Sequence, residues 1–181
     1  NTISLLVNYL AAFLQVAEAY RIEGRTDEAL SLMRFSEENA VPPESWEGLL
    51  LLATQTHRLG AIDDALRLVD RALAVPSADG TAQRGSAAEM LMSFKAYERA
   101  EAVYTVMLEV NMDPRISLFN RAVSRERLGR FEGALEDLTA LAELTPDDPE
   151  VRSAIDIIRQ RMAADETAAT KPDSGGDGSP P

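Results

Sequence analysis

Cysteine is absent from the 181 residues, so neither a disulfide staple nor thiolate chemistry is open to this chain. Histidine occurs once, at His57, and a lone imidazole without a paired nucleophile or base does little catalysis. Positive charge is scarce: 18 Lys and Arg stand against 30 Asp and Glu, a net charge of −12. That sign repels phosphate backbones and argues against nucleic acid as a partner. No apolar run reaches the roughly 18 residues of a membrane span, which argues against direct bilayer insertion of this segment. Phosphate loops, dinucleotide fingerprints, zinc-ligand spacings and serine elbows are missing too. The expectation is a non-enzyme with no catalytic residue, cofactor or metal. What is present is 45% hydrophobic content, enough to bury a core.

That content is organised by repetition. Four similar phrases begin at Gly24 (GRTDEALSLM), Gly60 (GAIDDALRLV), Lys95 (KAYERAEAVY) and Gly129 (GRFEGALEDL). Their alanines, Ala29, Ala65, Ala100 and Ala134, are 36, 35 and 34 residues apart, a period that signals stacked units. Before each phrase the apolar residues recur at helical spacing, as in Phe13, Val16, Ala17 and Tyr20 or Leu49, Leu52 and Ala53. A glycine then closes the helix, because it tolerates the left-handed backbone of a helix C-terminus. Each unit reads as a helix hairpin. Two antiparallel helices approach closely only where small side chains meet, so Ala17 is expected opposite Ala29. The same 12-residue interval pairs Ala53 with Ala65, Ala88 with Ala100 and Ala122 with Ala134. One hairpin leaves apolar surface wet and the next covers it, which is the physical reason for repetition.

These residues resemble tetratricopeptide repeats over roughly positions 10 to 148. The fourth unit matches through Ala122, Gly129, Phe131, Ala134, Leu138 and Pro146, and the first through Val16, Ala17, Tyr20, Gly24 and Ala29. Ser36, Lys95 and Arg125 depart from the pattern: a small apolar residue, a glycine and an aromatic or aliphatic residue are usual there. The resemblance implies an all-α fold, a right-handed superhelical solenoid of about four hairpins plus a C-terminal capping helix. The units are expected at about 10–43, 46–79, 81–114 and 115–148, with the capping helix at 149–164 and a disordered tail at 165–181. Val151, Ala154, Ile155, Ile158 and Met162 form the apolar stripe of that capping helix. Thr26, Ser45, Asp113 before Pro114 and Asp148 before Pro149 read as helix starts. NAVPPES and VPSADGTAQRG read as loops between units.

In such an array the first helix of each hairpin lines an inner groove. The expected wall comprises Leu14, Glu18 and Arg21, then Leu50, Thr54 and His57, then Glu89 and Met92, and last Phe119, Asn120, Val123, Glu126 and Arg127. Leu14, Leu50 and Phe119 occupy equivalent places and offer an apolar strip to a peptide or protein segment. Some tetratricopeptide domains grip a terminal carboxylate with lysines and asparagines; only Asn120 fits that pattern. The first 50 or so residues, through LVNYLAAFLQVAEAY, also resemble the soluble C-terminal extension of bacterial polytopic membrane proteins related to protein O-mannosyltransferases. That resemblance implies a membrane-embedded parent chain and an extracytoplasmic location, with cytoplasmic as the alternative. The expected function is a protein-interaction scaffold. The rival is self-assembly with other copies through an uncapped apolar start, Ile3, Leu6 and Leu10.

Overall fold

The computed structural model describes residues 2–42 and 44–169, with side chains from residue 9 to residue 165 apart from residue 43. The described residues form nine helices and no strand. They are α1 (Thr2–Ile22), α2 (Thr26–Asn39), α3 (Trp46–Arg58), α4 (Ile62–Ala74), α5 (Gly80–Ser93), α6 (Tyr97–Glu109), α7 (Pro114–Arg127), α8 (Phe131–Leu144) and α9 (Pro149–Ala169). The chain divides between Asp113 and Pro114 into two compact units. The first holds three hairpins, α1–α2, α3–α4 and α5–α6, each stacked on the next through α2 on α3 and α4 on α5. The second holds the α7–α8 hairpin, with α9 packed on α8.

The hairpins close where the repeated phrase begins. Gly24, Gly60 and Gly129 have φ of 75°, 82° and 72°, and Lys95 takes the same left-handed backbone at φ 60°. In each turn two backbone bonds satisfy the last carbonyls of the preceding helix. Arg25 N–H donates to Tyr20 O at 2.8 Å and Gly24 N–H to Arg21 O at 3.1 Å; Ala96 and Lys95 repeat this to Leu91 and Met92 at 2.9 and 3.0 Å. The acidic letters after the turn have their own task. The residues preceding α2, α4, α6 and α8 make no side-chain cap, and Asp27 and Glu28, Asp63 and Asp64, Glu98, and Glu132 sit in the first turns instead. Carboxylates there stabilise the exposed N–H groups and the helix dipole.

Thr26 is therefore the first residue of α2 and not its cap, a correction to the sequence expectation. Ser45 does cap α3, accepting from Gly48 N–H at 3.0 Å, and Asp148 accepts from Glu150 N–H at 2.9 Å ahead of α9. The expected long loop before α5 is shorter, because Asp79 caps that helix through Ala82 N–H at 2.9 Å and Gly80 opens it. Residues 165–169, expected as tail, continue α9, and residues 170–181 lie outside the described residues.

All eight crossing alanines are buried, none more than 2% exposed. Leu49, Leu52, Val69, Leu91 and Tyr104 fill the space between hairpins in the first unit, with Met90, Met92 and Met112 packed against them. Ser36 stands where an apolar residue is usual and is fully buried at no polar cost, since its hydroxyl donates to Leu32 O at 2.7 Å. Two measurements test this construction. Ala65→Leu and Ala134→Leu should each lower unfolding free energy by about 1–3 kcal/mol in urea titrations, because the crossings have no room. Lys95→Gly should raise it by about 0.5–1 kcal/mol by removing the left-handed strain on a residue with a Cβ.

Candidate functional site

In the first unit the residues expected to face a groove make a polar bridge between hairpins. Glu18 on α1 accepts from Arg21 Nε and Nη2 at 2.9 and 2.6 Å, and from Gln55 Nε2 on α3 at 3.0 Å. The Arg21 hydrogen bond above all, helped by Gln55 and by the charge of Arg58, pulls the Glu18 carboxyl down to about 2. Its charge therefore persists at any physiological pH. Gln55, which the sequence reading passed over, is 8% exposed and completes this bridge from the neighbouring helix. Thr54 donates to Leu50 O at 3.1 Å and has Met90 Sδ at 3.9 Å. The His57 ring lies flat on Phe94, with centroids 3.9 Å apart and planes 2° from parallel. Its position is that of a packing residue between hairpins.

Leu50, expected in the groove wall, is 5% exposed and belongs to the core of the first unit, so it offers little surface to a ligand. Its helix turns it onto the neighbouring hairpins, where burial of a leucine side chain contributes about 1.5–3 kcal/mol. Leu14 is half-buried against the same core, Met92 likewise, and Glu89 is exposed. The self-association residues change as well. Leu10 is 5% exposed and part of the core, while the side chains of Ile3 and Leu6 lie outside the described residues. Among the described residues, the exposed large apolar groups on this hairpin are Tyr9, Val16, Ile22 and Phe35. Phe13 joins two of them, stacking on Tyr9 at 6.5 Å and meeting Phe35 edge-on at 5.6 Å.

In the second unit an apolar trough of about 250 Å³ runs between α7 and α9. Phe119, Val123 and Glu126 form one wall, Ala154, Ile157 and Arg161 the other, and Ala122, Leu138 and Ile158 the floor. Glu126 and Arg161 pair across it, so that end is electrically neutral. Phe119 and Ile157 remain 42% and 47% exposed. Asn120 is half-buried beside this wall and Arg127 is exposed. The α9 wall was missed because that helix was read only as a lid. The available signal was Ile157, an isoleucine off the stripe that buries Val151 and Ile158.

The trough wall α7 is anchored to α8 by a buried carboxylate. Asp137, 2% exposed, accepts from Arg121 Nε and Nη2 at 3.0 and 2.6 Å and from Arg125 Nη1 at 3.0 Å. Arg125 Nη1 also donates to Gly133 O at 3.1 Å. The departure of Arg125 from the repeat pattern thus has a physical account: it exchanges an apolar contact for half of a two-arginine clamp.

No family model matches this chain, and neither does any curated protein. Among solved structures it is similar to MamA of strain MSR-1, at 22% identity over 90% of each chain with a TM-score of 0.54. It is similar to MamA of strain AMB-1 at 23% identity, over 90% of this chain and 85% of that one, with a TM-score of 0.53. MamA from Desulfovibrio magneticus RS-1, residues 41 to the end, gives 17% identity over 88% and 89% with a TM-score of 0.51. At these identities the likeness establishes the fold, an all-α array of tetratricopeptide-like hairpins.

The Asp137 clamp yields a direct test. Asp137→Ala leaves two largely buried guanidinium groups without their carboxylate and should cost about 3–5 kcal/mol of unfolding free energy, measured by urea titration. An Asp147→Ala control on the fully exposed neighbour of the α9 cap should stay within about 0.5 kcal/mol of the parent.

Proposed function

We propose that this chain is a non-enzymatic scaffold whose α7–α9 trough holds an apolar stretch of a partner protein. The trough itself carries the reading. Two large apolar side chains, Phe119 and Ile157, stand exposed on facing walls of a preformed 250 Å³ recess. Exposed apolar groups around a recess are the usual seat of an anchoring side chain. The likeness to MamA structures supports a protein-interaction or oligomerisation scaffold in general terms.

Charge narrows the partner. Arg115 lies one helical turn before Phe119 and Arg127 one turn after Val123, and both are exposed. No ion pair engages either among the described residues. A segment with an apolar centre and acidic flanks complements that face.

A second reading is favoured by the cluster of Tyr9 and Phe13 on α1 with Phe35 on α2, an aromatic surface beside a helix whose first 16 residues carry no charged side chain. Two copies joined there would bury those rings against each other, in the self-assembling role. An extracytoplasmic location beside a membrane-embedded parent rests on the resemblance of the first 50 or so residues. No described helix is long and apolar enough to cross a membrane.

The test is a peptide array probed with the purified chain. The parent should select peptides with an apolar core between acidic residues, and Phe119→Glu and Ile157→Glu should each weaken that binding about ten-fold or more. Ile62→Glu, placed on the first unit, should leave it intact. Equal binding by parent and trough variants, or no preference over scrambled peptides, overturns the trough reading.

A further inference from the structure

The first unit contains a separate recess on the opposite helices of its hairpins, and its lining has the chemistry of a small-molecule site. A cavity of about 310 Å³ opens between α4, α5 and α6, lined by Asp70 and Leu73, Arg84 and Leu91, and Arg99, Ala102, Val103 and Val106. That volume is at the lower end of the range for ligand pockets. Leu91 and Val103 are buried at its floor, while Val106 is 42% exposed at its edge.

Its two ends differ in charge. At one end Arg99 pairs with Asp70 across α6 and α4, which neutralises both. Arg84 is the remaining charged residue of the lining. Its guanidinium lies over Gly80, donating to that carbonyl at 3.2 Å, and no carboxylate pairs with it among the described residues. Because α5 and α6 run antiparallel, Arg84 in the second turn of α5 lies beside the late turns of α6, where Val106 stands. From Arg99 to Val106 is seven residues of helix, about 10 Å. The recess is therefore an apolar floor about 10 Å long with a neutral pair at one end and an unmatched cation at the other.

We propose that this recess binds a medium-chain amphiphilic carboxylate, its head on Arg84 and its hydrocarbon along Leu73, Leu91, Val103 and Val106. A chain of about eight carbons, with C–C bonds of about 1.5 Å, covers the floor. The carboxylate meets Arg84 in a charge-assisted, fork-shaped contact, and Asp70 disfavours the reversed orientation. A terminal residue of a polypeptide is a poorer fit, since one side chain spans only part of the floor.

The experiment is a titration of the full chain with octanoate and with 1-octanol at about 150 mM salt, where the repulsion between an anion and a chain of charge −12 is screened. Methyl NMR spectra are the readout. Octanoate should saturate one site, shift the methyls of Leu73, Leu91, Val103 and Val106, and bind about ten-fold more tightly than octanol. Arg84→Met, which keeps the aliphatic stem, should bring octanoate down to the octanol value, and Arg99→Met should change it by less than about three-fold. Phe119→Glu should leave the titration unchanged, so this site and the trough stand or fall separately. Non-saturable binding, equal affinity for acid and alcohol, or loss of discrimination in Arg99→Met instead of Arg84→Met overturns the proposal.

Discussion

The fold depends on two antiparallel helices touching backbone to backbone, and an alanine side chain is what allows it. Ala17, Ala53 and Ala88 on the first helices, and Ala29, Ala65 and Ala100 on the second, are all fully buried. With the helices this close, the chain reverses in a few residues, and the left-handed turns at Gly24, Gly60 and Lys95 are the conformations that allow it. The larger apolar side chains then project sideways, where Leu49, Leu52 and Leu91 pack between hairpins instead of within them.

Charge arranges what packing leaves free. Glu37 on α2 accepts from both nitrogens of Arg67 on α4 at 2.7 and 2.8 Å and also from Arg71, while Asp70 on α4 meets Arg99 on α6. These pairs join second helices of successive hairpins along the surface. Each contributes little to stability in water, about 0–1 kcal/mol, but together they oppose sliding of one hairpin along the next. Arginines held this way cannot offer their charge to a ligand. Arg84, Arg115 and Arg127 have no such carboxylate among the described residues, and two of the three flank the trough.

The alanine period and the turn glycines made the hairpins legible in sequence, because those positions obey local rules: a small residue at a crossing and a left-handed backbone at a turn. Side-chain partners were less legible. Leu50 reads as groove wall on helical phase alone, yet the neighbouring hairpin covers it, and phase along one helix carries no information about its neighbours. Gln55 and Asp137 find partners 37 and 16 residues distant, so their roles emerge only in three dimensions. Arg125 did stand out as a mismatch, and that mismatch marked a hairpin tied by a buried charge. Thr26 shows the opposite error: a residue with capping chemistry one position too late to use it.

The Asp137 clamp also sets a limit on modularity. Hairpins joined by alanines and leucines are interchangeable building blocks, because any apolar surface of similar shape will seat the next. The α7–α8 hairpin is not such a block: Arg121, Arg125 and Asp137 form a lock within it, and any recombinant array that splits α7 from α8 would strand its ions in a dry seam. Grafting onto this scaffold must therefore transfer α7 and α8 as one indivisible piece.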